Sequence, residues 1–150
     1  MPGGPDDPSG WPEWQSFVNR HGFLSWLDVE VDHLADGRAV MVLEQNDDFE
    51  NPVDSEGHDP VHGGIVATLI DSSSAFALRT MLENPSGAYL TTTDLNVSYL
   101  RPATGDLRAE AEVLRVGGST GVTDVTVVGA DGEAAVGRTT YRLFRNGLDE

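Results

Sequence analysis

The eighteen residues Ile65–Leu82 contain neither proline nor glycine, in a chain of 150 residues that carries 17 glycines and 8 prolines. So long an unbroken run predicts a helix. His62-Gly63-Gly64 breaks the loop before it, and Asn84-Pro85-Ser86-Gly87 ends it after about Glu83. The first N–H groups of a helix lack intrahelical partners, and two glycines let a substrate carbonyl approach that bare backbone. Gly63 and Gly64 are therefore a candidate oxyanion hole. Two turns later stands Asp71, whose neighbours three and four residues away, Ala67, Thr68, Ser74 and Ala75, are all small. Ser72-Ser73-Ser74 is poor mid-helix chemistry, because serine hydroxyls compete for backbone hydrogen bonds. Close approach of another element or a ligand accounts for it better than propensity.

Around this helix the pattern is that of strands. Trp14, Phe17 and Val18 have helical spacing within Trp11–Arg20, which Gly22 stops. Phe23–Val31 and Arg38–Gln45 read as strands joined by a turn at Ala35-Asp36-Gly37, and Asp47–Pro60 as a polar loop. Four more strands follow, Ala88–Leu100, Asp106–Val116, Thr120–Val128 and Glu133–Phe144, separated by RPATG, GGS and GADG. Leu107, Ala109, Ala111 and Val113 alternate with Arg108, Glu110 and Glu112, so each strand has one wet face. The expectation is an α+β fold in which one long helix covers an antiparallel sheet of about six strands. Residues 1–10 are expected to be a disordered tail, and residues 11–150 a single domain.

With no cysteine, thiolate nucleophiles, disulfides and Cys-based zinc sites are excluded. No stretch reaches the ~18 apolar residues of a membrane span, and MPGGPDDPSG lacks the character of a signal peptide, which predicts a cytoplasmic protein without membrane partners. All nine basic residues are arginine, against 25 acidic ones. The net charge of −16 argues against nucleic acid as a partner. Scattered acidity without lysine resembles proteins of salt-in halophiles, where a Debye length of ~3 Å at molar salt screens self-repulsion. His21, His33 and His58 are dispersed with no ligand spacing, so no metal is expected. Gly117-Gly118-Ser119 is not a dinucleotide fingerprint, and no GxSxG elbow surrounds the serine run.

HGGIVATLID, followed by TTTDLNVSYLRPA and the glycine-bearing hairpin VGGSTG, resembles the hotdog-fold acyl-CoA thioesterases of the PaaI and 4-hydroxybenzoyl-CoA thioesterase type, over about Trp26–Phe144. The resemblance implies a long helix wrapped by a curved antiparallel sheet, a homodimer with joined sheets or a homotetramer built from two, and hydrolysis of a CoA thioester without any further cofactor. By the same resemblance Asp71 is the catalytic carboxylate, either general base or nucleophile. Gly63, supported by Gly64, polarises the carbonyl, while His62 lies near that carbonyl or orders the loop. Thr92 helps hold the attacking water. Relatives carry an amide side chain about six residues before the histidine; Glu56 stands there, and Asn51 is the alternative if the loop holds an insertion.

The spacing adds an independent constraint. From Gly64 to Asp71 is seven residues, or about 10.5 Å of rise. A donor and a base acting on one carbon each lie within about 3 Å of it. One helix thus cannot supply both ends of one site, and two helices packed antiparallel across a dimer can. For the CoA phosphates, arginine is the only cation besides histidine; Arg101 with Pro102, and Arg115 with the Gly117-Gly118-Ser119 turn, are the candidates, with Arg79 and Arg145 behind them. Phe49, Phe76 and Leu78 are candidates for an acyl pocket. A non-catalytic acyl-CoA-binding module and a hotdog dehydratase are the competing functions.

Overall fold

The computed structural model describes residues 13–53 and 59–148; the expected tail at 1–10 and Glu56 lie outside them. The chain runs α1 (Glu13–Arg20), α2 (Gly22–Leu27), β1 (Glu30–Ala35), β2 (Arg38–Leu43), a 3-10 turn (Asp47–Phe49), α3 (Gly63–Arg79), β3 (Tyr89–Tyr99), β4 (Leu107–Val116), β5 (Thr120–Gly129) and β6 (Gly132–Phe144). The six strands form one antiparallel sheet in the order β1-β2-β4-β5-β6-β3. One long helix against a curved antiparallel sheet is the arrangement the resemblance implied.

α3 packs on the sheet through Val66, Leu69, Ile70, Phe76, Ala77 and Leu78, all buried. All but Leu78 share one core with the inward rows Leu107, Ala109, Ala111 of β4 and Val125, Val127 of β5, while Leu78 packs in a second cluster with Tyr141 and Leu143 of β6. Two strand glycines make room for the helix. A Cβ on Gly137 would come within 2.8 Å of Ile70, and one on Gly121 within 2.5 Å of Leu78. The β1–β2 connection is a two-residue turn with positive φ at both Asp36 (53°) and Gly37 (79°), the geometry that matches hairpin twist.

Two expectations are corrected. Phe23–Leu27 is helix, not strand: His21 caps α2 by accepting the Leu24 N–H on Nδ1, and Leu24 and Leu27, three residues apart, form its buried face. Gly22, expected to stop the first helix, follows its end at Arg20 and begins a second short one. The long helix stops at Arg79, four residues short of Glu83. There the Thr80 hydroxyl donates to Ala77 O (2.7 Å) and accepts the Gly37 N–H (2.7 Å), tying the helix end to the β1–β2 turn. The Met81 and Leu82 N–H groups then reach back only three residues.

Candidate active site

The start of α3 is set by a short ladder. The Glu50–Val61 bridge is flanked by the His62 N–H donating to Phe49 O (2.8 Å) and the Asn51 N–H donating to Pro60 O (2.8 Å). His62 is thereby fixed as the helix N-cap, and its Nδ1 accepts the Gly64 N–H at 2.9 Å. A neutral imidazole accepting on Nδ1 carries its proton on Nε2. The Gly64 amide is thus occupied, and the Gly63 N–H is the one at this position with no acceptor among the described residues. Tyr99, at the end of β3, packs its ring over Gly63 and donates to Gly63 O at 2.6 Å. The ladder puts Asn51 one register step from the motif, with its side-chain amide bonded to no described residue.

Asp71 lies half-buried on the side of α3 that faces β3 and β6. Its Oδ1 accepts the Thr92 hydroxyl of β3 at 2.7 Å, and the Tyr141 hydroxyl of β6 lies 2.5 Å from the same oxygen. Thr92 and Tyr141 face each other in the β3–β6 ladder, so the strand register delivers both hydroxyls to one carboxylate. Tyr141 also lies 2.7 Å from the Asp71 backbone oxygen. Burial, then the Asp71 charge and its hydrogen bond, push the Tyr141 phenol well above its ordinary value, so it stays a donor.

Asp71 and Thr92 are thus brought together, whereas Gly63 and Asp71 lie eight residues apart along one helix. The candidate phosphate ligands are divided as well. Arg101 donates from Nη1 to Asp131 O (2.8 Å) at the β5–β6 turn. Arg115 and Gly117-Gly118-Ser119 sit at the other end of the ten-residue β5, about 33 Å away along the strand. One protomer therefore cannot bring Arg101 and the glycine turn to one phosphate group. Nor is that turn an open nest of amides. The Gly117 N–H donates to Thr120 O, and Arg145 clamps the Gly117 and Gly118 carbonyls at 2.6 and 3.0 Å.

Other candidates have structural partners. Arg79 donates from Nη1 to Pro85 O (2.7 Å) and Ala88 O (2.9 Å) and lies 5.3 Å from the Trp14 ring; burial lowers its pKa. Phe49, Phe76 and Leu78, the candidates for an acyl pocket, are buried core residues in the single protomer. Among the described residues no group of three His, Asp or Glu side chains could hold a metal, and no helix is long and apolar enough to cross a membrane. Tyr141 escaped the sequence reading. The one signal for it is register: in β6 it shares the inward row with Thr139 and Leu143, and a buried tyrosine hydroxyl needs a partner.

Comparison with known proteins identifies the family and the fold. The family model described as the thioesterase superfamily matches residues 58–136, which include the helix start, Asp71 and Thr92. A candidate esterase of Halobacterium salinarum is 46% identical over 139 residues, covering 88% of this chain and 91% of its own. A crystal structure from the thioesterase superfamily is 32% identical, with a TM-score of 0.73 over 85% of this chain and 93% of that one. The Escherichia coli PaaI protein from the phenylacetic acid degradation operon shares the fold, with a TM-score of 0.74 at 22% identity over 89% of this chain and 92% of that one. The chain belongs to the thioesterase superfamily and is a thioester hydrolase on the hotdog fold.

Proposed function

We propose that this hydrolase acts on acyl-CoA thioesters with aryl or medium-chain acyl groups, in a site shared between two protomers. The observation that carries the reading is the separation of two half-sites on α3. A free Gly63 N–H stands at the helix start, and a carboxylate held by two hydroxyls stands about 12 Å further along. Neither serves a reacting carbon alone. Between them the less buried positions of α3, Gly64, Ala67 and Thr68, are small enough for a second helix to pack closely.

In the composite site the Gly63 N–H of one protomer polarises the thioester carbonyl. Asp71 of the other takes a proton from water through Oδ2, and the hydroxide adds to the carbonyl carbon. The resulting oxyanion is held at the helix start, where backbone N–H and helix dipole both favour negative charge. Collapse breaks the C–S bond, and the departing thiolate recovers the proton from Asp71. Asn51 is the candidate second carbonyl donor. Arg115 and Arg145, which pair with no carboxylate among the described residues, are the candidate phosphate ligands, joined by Arg101 only from another protomer.

Thiol release from a panel of acyl-CoA esters in molar salt tests the reading. The enzyme has no cysteine, so a thiol-reactive dye reports coenzyme A alone. Asp71→Asn is expected to lose at least about 100-fold in kcat; full activity in that variant rejects the assignment. Binding of intact thioesters without thiol release by the wild type would instead indicate a binding module.

A further inference from the structure

A carboxylate has two oxygens, and in this enzyme they are treated differently. Oδ1 of Asp71 accepts from Thr92 at 2.7 Å and from Tyr141 at 2.5 Å, while no described residue donates to Oδ2. The two donors come from adjacent strands at directly opposed positions, and both strands are anchored in the same ladder. The third strand contributes Gly121 opposite Tyr141, so no side chain competes there for the hydroxyl. We propose that Tyr141 is the positioning residue of the Asp71 carboxylate: with Thr92 it commits Oδ1 to two hydroxyl donors and so reserves Oδ2 for the proton taken from water. This rests on the reading of Asp71 as the catalytic base.

The division of labour has a physical basis. Two hydroxyl donors on one oxygen fix the carboxylate plane and satisfy that oxygen's lone pairs, leaving the other oxygen as the site of protonation. Tyr141 suits the task better than a freely rotating hydroxyl. Its ring is buried at 3% exposure, so the hydroxyl moves only with β6. It also has a second acceptor in place, the Asp71 backbone oxygen at 2.7 Å. When Asp71 takes up the proton and its charge is lost, the phenol keeps a bond and no buried polar group is orphaned. The groups acting on the phenol are Asp71 from α3, Thr92 from β3 and the Arg79 cation from the end of α3. Asp71 raises its proton affinity, and the other two oppose that.

The test is Tyr141→Phe, which removes one oxygen and keeps the ring. If the phenol positions the base, kcat falls roughly tenfold or more, the loss expected for one hydrogen bond to a charged group, with KM and the thermal midpoint little changed. A purely structural role would lower the midpoint and leave kcat of the folded fraction intact, which overturns the proposal. A second measurement does not depend on that variant. Of the three tyrosines, only Tyr141 bonds Asp71, so the near-ultraviolet tyrosine difference spectrum between wild type and Asp71→Asn at neutral pH reports on it. Replacing the charged acceptor with a neutral amide is expected to shift the absorbance of that phenol to shorter wavelength. A featureless difference spectrum refutes the coupling. A dead Asp71→Asn with a fully active Tyr141→Phe sinks this inference and leaves the base assignment standing. A fully active Asp71→Asn sinks both.

Discussion

The two edges of the sheet are built in opposite ways. β1 has six residues, a bulge between Val31 and His33, and a cover: Gln15 of α1 accepts the Val31 N–H at 2.7 Å and donates to Val29 O at 3.4 Å. These are the devices that end a sheet. β3 has eleven residues, pairs with β6 on one side, and is covered on its outer side by no described strand. Its Leu95 and Tyr99 side chains are 41% and 55% exposed. A long open edge with apolar side chains invites continuation by another chain. It is also the edge whose Thr92 and Tyr99 reach the two half-sites on α3. One edge is thus closed by its own chain, while the other is left open among the described residues.

The largest expected effect tests the proposed sharing of the site across the open edge. Asp71→Asn and Gly63→Pro each remove one half-site; proline is tolerated at the first helical position but has no N–H to offer. Each homodimer is expected to be nearly inactive. When the two are unfolded together and refolded at equal ratio, half the dimers are mixed and each mixed dimer has one intact site of two. About a quarter of wild-type activity should return. If the mixture stays as inactive as its components, the site lies within one protomer and the proposed sharing fails.

A smaller effect separates the edges from each other. Leu95→Lys places a charge on the open edge, and His33→Lys places the same charge on the closed one. Size-exclusion chromatography with light scattering is expected to show the first weakening the dimer at least tenfold, with activity falling in step, and the second leaving assembly unchanged. Equal behaviour of the two variants would mean that edge construction does not decide assembly here.

How much of this was legible beforehand depended on how local the cause is. α3 and the last four strands lie within a few residues of their expected bounds, because glycines and prolines mark the ends and the inward rows alternate cleanly. FLSWL misled because five apolar-rich residues fit strand and helix alike, and a capping histidine decided for helix. The end of α3 depends on a hydrogen bond from Gly37 to Thr80, forty-three residues apart in sequence, which no local pattern encodes. The site divides the same way. The amide and the carboxylate of one helix were readable, and counting its rise separated them. Tyr141, seventy residues from Asp71, depends on strand register. Arg101 and Arg115 were each legible as candidate phosphate ligands from their chemistry. Their strands end at opposite ends of the sheet, which only the topology reveals.

The smallest effect belongs to the closed edge. If Gln15 seals β1, Gln15→Ala removes two bonds to part-buried backbone groups, one of them longer than an ordinary hydrogen bond at 3.4 Å. About 1 kcal/mol is expected, read as a lower urea midpoint at unchanged slope. Trp14 and Val18 keep α1 anchored, Trp14 through an edge contact with Phe76 at 5.7 Å, so the helix still lies over β1 after the substitution. Activity and dimer affinity should therefore not move, since α1 bears on the far side of the sheet from β3. A gain of higher oligomers in Gln15→Ala would show that the side chain, and not the helix above it, is what keeps the edge closed. No change in either stability or assembly would assign the closure to the bulge and the short strand alone.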